Sequence, residues 1–265
     1  SIFMAYGVPV TVATRLEDDF ALRASDVAAA ITERTRVIVL NFPTNPTGAI
    51  EPVAELEQIA KLAVEHDLIV ITDEIYSELI YDNEDPTVVP PHTSIVSFPG
   101  MRERTILLHG FSKAYAMTGF RLGYACAPNI LTEAMMKVHQ YSMLCASIIA
   151  QKAGIEALRN GAAEVEKMRR EYALRRNLML EGFSRIGIPC FTPGGAFYLF
   201  PDISKFGLSS RDFAFGLLEQ ENVAVVPGTA FGTCGEGCVR ACYATSRAEL
   251  EEALVRIERF VGTLG

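Results

Sequence analysis

Three short polar clusters in this 265-residue sequence carry residue types that could do covalent chemistry. They are Asn41-Phe-Pro-Thr-Asn45-Pro46-Thr47-Gly48, Asp73-Glu-Ile-Tyr76 and Gly110-Phe-Ser112-Lys113. Singly, each has an ordinary reading. The first is good turn chemistry, Asp73 alone is a loop or capping residue, and Lys113 alone is a solvated side chain. Each cluster, however, stands just past the carboxyl end of an apolar run. If those runs are strands of one sheet, the clusters bring an amine, a carboxylate, an amide and hydroxyls to a single crevice. Open α/β sheets bind ligands at that edge.

That set suits one cofactor chemistry. A lysine amine forms a Schiff base with an aldehyde, and enzymes that use pyridoxal 5'-phosphate (PLP) pair it with an acid at the pyridinium nitrogen. The carboxylate keeps that nitrogen protonated, so the ring draws electrons from the α-carbon of a bound amino acid. Arg121 follows in Met117-Thr-Gly119-Phe-Arg121-Leu-Gly123, where a guanidinium suits a phosphate held by two parallel hydrogen bonds.

The elements that would position these groups follow from the hydrophobic pattern. Residues 8–13, 36–41, 68–72 and 105–109 are short runs rich in Val, Ile and Leu, and 122–127 is a short apolar run of Leu, Gly, Tyr, Ala and Cys, which predicts strands buried on both faces. Residues 51–66 have Pro52 near the start and Leu56, Ile59, Ala60 and Ala63 at helical spacing. Strand, helix and strand at such intervals make βαβ units, so the first half reads as α/β with a mostly parallel sheet and flanking helices.

The second half differs. Residues 161–186 carry Val165, Met168, Tyr172, Met179 and Phe183 on one stripe of a long helix. Short strands follow at 196–200, 223–226 and 238–243. A last helix opens with the capping pair Ser246 and Glu249 and continues through Leu250, Leu254 and Ile257. We read a large domain over 1–160 and a smaller α+β domain over 161–265.

Composition narrows the function classes. A net charge of −8, without a basic run or basic helix face, argues against nucleic-acid and anionic-membrane partners. No apolar stretch is long enough to span a bilayer, and the first residues do not resemble a signal peptide. The six cysteines include Cys234, Cys238 and Cys242, but neither a CxxC pair nor a neighbouring His supports a metal site, and we expect none. Reduced cysteines in a cytoplasmic protein are the expectation. His109 ends an apolar run and reads as a packed histidine. His66, His92 and His139 are scattered. Ser112 is not in a GxSxG elbow, which disfavours a hydrolase.

The run Gly110-Phe-Ser-Lys113-Ala-Tyr-Ala-Met-Thr-Gly119-Phe-Arg121-Leu-Gly123 resembles the PLP-attachment signature of the class I and II aminotransferases, of the aspartate aminotransferase type and fold type I. Asn45-Pro-Thr-Gly48 and Asp73-Glu-Ile-Tyr76 resemble the two preceding motifs of that family, in the same order. The resemblance implies that Lys113 is the Schiff-base lysine and proton shuttle, and that Asp73 contacts the pyridine nitrogen. It further implies that Asn45 and Tyr76 hydrogen-bond the ring 3'-oxygen, that Ser112 and Arg121 bind the phosphate, and that Arg240 binds the substrate carboxylate with Asn45 beside it. Without the resemblance, an Arg on an apolar strand pairs with a core carboxylate. The turn and strand Pro193-Gly194-Gly195-Ala-Phe-Tyr198 and the segment Pro227-Gly228-Thr-Ala-Phe-Gly232 resemble family features that shape the pocket, but glycine-rich turns serve structure first.

The same resemblance implies a homodimer with its site at the subunit interface, and a large domain that begins before residue 1, so that the family's N-terminal part is expected to be absent. The expected reaction moves an amino group between an L-amino acid, aspartate or aromatic by preference, and a 2-oxo acid. Two alternatives remain open: a β-eliminating lyase acting on cysteine-like substrates, and a non-catalytic PLP-binding module.

Overall fold

The computed structural model describes residues 2–264 except Asn83, Glu84, Pro86 and Val89. Its first sheet contains β1 (Val37–Asn41), β2 (Ile69–Asp73), β3 (Thr105–Gly110) and β4 (Gly123–Cys126), in that order across the sheet. β1, β2 and β3 are parallel, and β4 runs antiparallel to β3. Helix α1 (Ala24–Ala30) precedes β1, and α2 (Val53–Glu65) crosses over from β1 to β2.

Side chains alternate across a strand. Ile38 and Leu40 of β1 therefore project to the side covered by α2, where they join Leu56, Ile59, Leu68 and Val70 in one apolar cluster. The other face of β1 is open: Val37 and Val39 are 42% and 55% exposed. β4 is exposed along its whole length. Burial on both faces, expected from the unbroken apolar runs, thus fails for β1 and β4, because no described element covers those faces.

Residues 8–13 depart further from expectation, since they form no strand. An extended run becomes a strand only when a neighbour takes its backbone hydrogen bonds, and no described residue pairs with this one.

Beyond β4 come α3 (Asn129–Ser142), α4 (Ile148–Asn160) and the long α5 (Ala162–Ile186). Helix α5 ends at Gly187, whose φ of 78° closes the last turn. Then follow β5 (Tyr198–Leu199), α6 (Ser210–Glu221), β6 (Val226–Pro227), β7 (Val239–Cys242) and α7 (Arg247–Gly262). The second sheet has the order β5-β7-β6 and is antiparallel throughout. Its strands are shorter than the apolar runs expected to form them, and β6 starts only at the last residue of its run.

Helix α7 starts with the expected reciprocal cap. Ser246 Oγ accepts from Glu249 N at 3.3 Å, and a Glu249 carboxylate oxygen accepts from Ser246 N at 3.2 Å. The stripe of α5 is buried as expected at Val165, Met179 and Phe183, but the same face also buries Arg169 and Arg176, each 1% exposed. Arg176 donates to Pro193 O at 2.8 Å and Asp82 O at 3.0 Å, and Arg169 pairs with Glu166 at 2.8 Å. Their charge is buried because carbonyls and a carboxylate satisfy it.

Candidate active site

Strand register assembles the site. Asn41 lies opposite Asp73, and Asp73 opposite Leu108, so the carboxyl ends of β1, β2 and β3 share one edge. β4 returns antiparallel with Gly123 opposite Gly110, so Arg121 arrives at that edge together with the segment that holds Ser112 and Lys113. The two strands approach closely here. A Cβ on Gly123 would lie 3.0 Å from His109 O, and one on Gly110 would lie 3.1 Å from the Gly123 Cα.

Asn41 organises the first cluster. Its Nδ2 donates to Asp73 O at 3.1 Å, and its Oδ1 accepts from Asn45 N at 3.2 Å. Gly48, at φ 70°, sits where a Cβ would be 2.4 Å from Pro193 Cβ, and its carbonyl accepts from Gly195 N at 2.9 Å. Only glycine fits this left-handed, crowded position. The loop is thereby pinned to the 193–195 turn and presents Asn45 toward the second sheet.

The second cluster turns sharply after β2. Asp73 Oδ1 accepts from Ile75 N at 3.2 Å. Glu74 points the other way into the core, where it meets His92 at 2.8 Å, Ser94 at 2.7 Å and Thr72 at 3.1 Å. Burial would raise its pKa, but His92, Ser94 and Thr72 outweigh burial and hold the carboxyl below its usual range. Tyr76 is 3% exposed, and its hydroxyl lies 2.9 Å from the Tyr198 hydroxyl. Burial first, and the bond to Tyr198 second, push its phenol far above the ordinary value, so it stays protonated.

Lys113 reaches toward this aromatic wall. Its Nζ stands 5.8 Å from the centre of the Tyr76 ring and 5.5 Å from that of Phe197. The lysine loop is closed beneath it by Phe111 N to Leu122 O at 3.2 Å and Met117 N to Phe111 O at 3.1 Å. Arg121 adopts a left-handed φ of 53° and donates to Thr118 O at 2.8 Å, leaving most of its exposed guanidinium open. Ser112 is half-buried.

The second sheet supplies the remaining candidate. Arg240, on central strand β7, donates from Nη1 to Asn45 Oδ1 at 2.7 Å. Its guanidinium lies over the Tyr198 and Phe231 rings, at 4.4 and 5.0 Å. Its Nε is buried and has no partner. No described residue accepts from Asn45 Nδ2. Asn45, Asp73, Tyr76, Lys113 and Arg240 thus converge on one crevice, with Ser112 and Arg121 at its lysine-loop side.

Sequence reasoning put Phe197 and Tyr198 in a turn and strand and gave them a structural role first. Their signal was present: two aromatics one residue after a Gly-Gly turn. It missed the Glu74–His92 pair. It missed Arg169 and Arg176 as well, whose one sequence signal was two arginines seven positions apart on the face of α5 that carries its apolar stripe. His109 is packed as expected, stacked on Tyr124 with its Nε2 2.8 Å from Ser77 Oγ, and burial lowers its pKa. All six cysteines are free thiols. Among the described residues, no helix is long and apolar enough to cross a membrane.

Solved structures with this fold define the class. An aromatic aminotransferase from Pyrococcus horikoshii matches 99% of the chain with a TM-score of 0.94 at 45% identity, and the chain covers 69% of it. The aspartate aminotransferase of Thermus thermophilus with maleate matches 97% at a TM-score of 0.90 and 42% identity, with 65% of its own length covered. The fold is that of the PLP-dependent transferases of fold type I.

The family model for aminotransferase class I and II matches residues 1–257, and the chain belongs to that family. Among curated relatives, a putative aminotransferase of Bacillus subtilis named YugH is 52% identical over 98% of the chain. An aspartate aminotransferase of Pyrococcus abyssi is 45% identical over 98%, and aromatic-amino-acid aminotransferase 2 of Thermococcus litoralis is 43% identical over 98%. The chain spans 66% of the length of each of these three relatives.

Proposed function

We propose that the protein carries PLP on Lys113 and exchanges amino groups between an amino acid and a 2-oxo acid. The observation that carries this reading is the placement of Lys113 Nζ beside the Tyr76 and Phe197 rings, at the sheet edge that holds Asp73 and that Arg240 reaches through Asn45.

The donor set suits the cofactor. Asp73 offers a carboxylate for a protonated ring nitrogen. Asn45 has a free Nδ2 and Tyr76 a protonated phenol, both suited to a ring oxygen. Ser112 and the open donors of Arg121 suit a phosphate. When bound, PLP supplies an electron sink for the substrate α-carbon. The chain's own part is binding and proton handling. Asp73 would hold the ring nitrogen in its protonated form, and Lys113 Nζ would carry the amine that takes and returns the α-proton. Arg240, whose buried Nε is unpartnered, holds the substrate carboxylate with Asn45 beside it. The buried Tyr198 ring covers one side of the Arg240 guanidinium and limits its access to water, which strengthens the ion pair.

Aspartate or an aromatic amino acid is our preferred substrate, supported by relatives named for those activities. A homodimer with its site completed at the subunit interface follows from the family resemblance, and a cytoplasmic location is our reading from the cysteine usage. The division into 1–160 and 161–265 is supported by two separate sheets, with α5 opening the second part.

Borohydride reduction of the PLP-loaded protein, followed by peptide mapping, tests the reading. The pyridoxyl label should fall on the peptide containing Lys113, and label on Lys137 or Lys152 would sink the assignment. Spectra with amino donors separate the chemistries: conversion to the pyridoxamine form indicates transfer, and pyruvate release indicates elimination.

A further inference from the structure

Tyr198 touches both halves of the crevice. Its hydroxyl lies 2.9 Å from that of Tyr76, and the two rings meet edge-on at 5.9 Å and 82°. The Arg240 guanidinium lies 4.4 Å from the Tyr198 ring centre. Strand register explains the second contact. Tyr198 is directly opposite Cys242 in the antiparallel β5–β7 pair, and Arg240 is two residues before Cys242 on the same face of β7. Diagonal neighbours of this kind are within reach of an aromatic ring and a long side chain.

The backbone before Tyr198 is held hard. Ala196 adopts φ 58°, its N–H donates to Leu79 O at 2.9 Å, and its carbonyl accepts from the Tyr81 and Tyr243 hydroxyls. Tyr198 is 6% exposed, and burial raises its pKa, so it remains a neutral phenol with a proton to donate. A phenol pair shares one hydrogen bond. Either oxygen can be the donor. With no other acceptor present the bond to Tyr198 raises the Tyr76 pKa, but a ring oxygen that accepts the Tyr76 proton selects the arrangement in which Tyr198 donates, and in that arrangement Tyr76 is the stronger donor.

We propose that Tyr198 is a positioning residue that sets both arms of the site, its hydroxyl holding and polarising the Tyr76 phenol while its ring seats the Arg240 guanidinium. The proposal rests on the reading of the site given above. It assigns a role to a residue that touches Tyr76 and Arg240 but not the cofactor lysine.

The test compares the PLP-loaded full-length protein with its Tyr198→Phe and Tyr198→Leu variants, using two readouts besides turnover. These are the pH midpoint of the visible cofactor band, and the dissociation constants of two plain carboxylates, succinate and 3-phenylpropionate. Tyr198→Phe removes the hydroxyl and keeps the ring. A weaker Tyr76 donor disfavours the deprotonated chromophore, so its midpoint should rise by at least about 0.3 pH units, while carboxylate affinity stays within about twofold because the cation–π contact survives. Tyr198→Leu removes both contacts, and should show the same midpoint shift with carboxylate binding weakened about 2- to 30-fold. An unmoved midpoint in Tyr198→Phe, with the near-ultraviolet circular dichroism of the parent, would overturn the proposal, as would unchanged carboxylate affinity in a folded Tyr198→Leu. Should the parent itself take no PLP on Lys113, the reading of the site fails first and the role of Tyr198 with it.

Discussion

Arg240 and Asn45 are 195 positions apart in sequence, yet Arg240 Nη1 donates to Asn45 Oδ1 at 2.7 Å. This bond joins the loop after β1 to the central strand of the second sheet. It orients a guanidinium whose remaining donors, including a buried Nε, have no described acceptor. An arginine held this way is prepared for an incoming carboxylate, and several measurable consequences follow from the surrounding geometry.

Arg240→Leu should cripple amino-acid use. Leaving a substrate carboxylate buried and unpaired costs roughly 3–5 kcal/mol, a loss on the order of a hundred- to several-thousand-fold in kcat/KM. Steady-state kinetics with the preferred donor check this, and a loss under about threefold in a folded variant would return Arg240 to a packing role.

Lys113→Ala should abolish transamination and the visible absorbance of lysine-linked cofactor, while PLP still binds through its phosphate. Absorbance and equilibrium dialysis of the same sample separate the two effects. Wild-type absorbance in the variant would exclude Lys113.

Asp73→Asn keeps the shape of the side chain and its bond to Ile75 N, but a neutral amide cannot keep a ring nitrogen protonated. Turnover should fall by at least about tenfold, the equivalent of one unit of lost electrostatic support, with the fold and PLP content unchanged. Equal turnover would refute the electron-sink role of this carboxylate.

Glu51 supplies a pH-dependent prediction. Burial, partly offset by the Leu22 N–H, raises its pKa from 4.5 to about 7, and its Oε1 is buried without a partner. Between about 4.5 and 7 the folded state therefore holds a proton that the unfolded state has released, so stability falls as pH rises through that window and is level above it. Glu51→Gln removes this penalty. It should be more stable than the parent at pH 8 by on the order of 1–3 kcal/mol, and little different at pH 4.5. Denaturant midpoints at the two pH values measure this, and a parallel offset at both would contradict it.

Gly182 fixes the contact between α5 and α7. A Cβ there would lie 2.4 Å from both Leu254 methyl carbons, in a region where Leu254 is 3% exposed and well packed. Gly182→Val should destabilise by about 1–3 kcal/mol through overpacking, visible as a lower Tm, and pairing it with Leu254→Ala should recover part of the loss. No recovery in the double variant would place the strain elsewhere.

The local pattern of the chain was enough to specify most of the elements and the candidate residues. Val, Ile and Leu runs marked β1 to β3, the apolar run Leu122-Gly-Tyr-Ala-Cys-Ala127 marked β4, a 3.6-residue stripe marked α5, and Ser246 with Glu249 marked the start of α7. These signals are readable because a strand, a helix or a cap is decided by residues a few positions apart. The polar clusters were legible for the same reason, since each follows its strand directly.

Tertiary structure decided what those elements touch. Residues 8–13 have strand composition but no ladder, because a strand exists only through a neighbour. β1 and β4 carry the residues of buried strands on faces that no described element covers. Arg169 and Arg176 are buried on α5 because backbone carbonyls from remote loops receive them. Tyr76 meets Tyr198 across 122 positions, and Asn45 meets Arg240 across 195. Both contacts depend on how the two sheets pack together, and the free energy of that packing is spread over the whole core, out of reach of any local window of sequence.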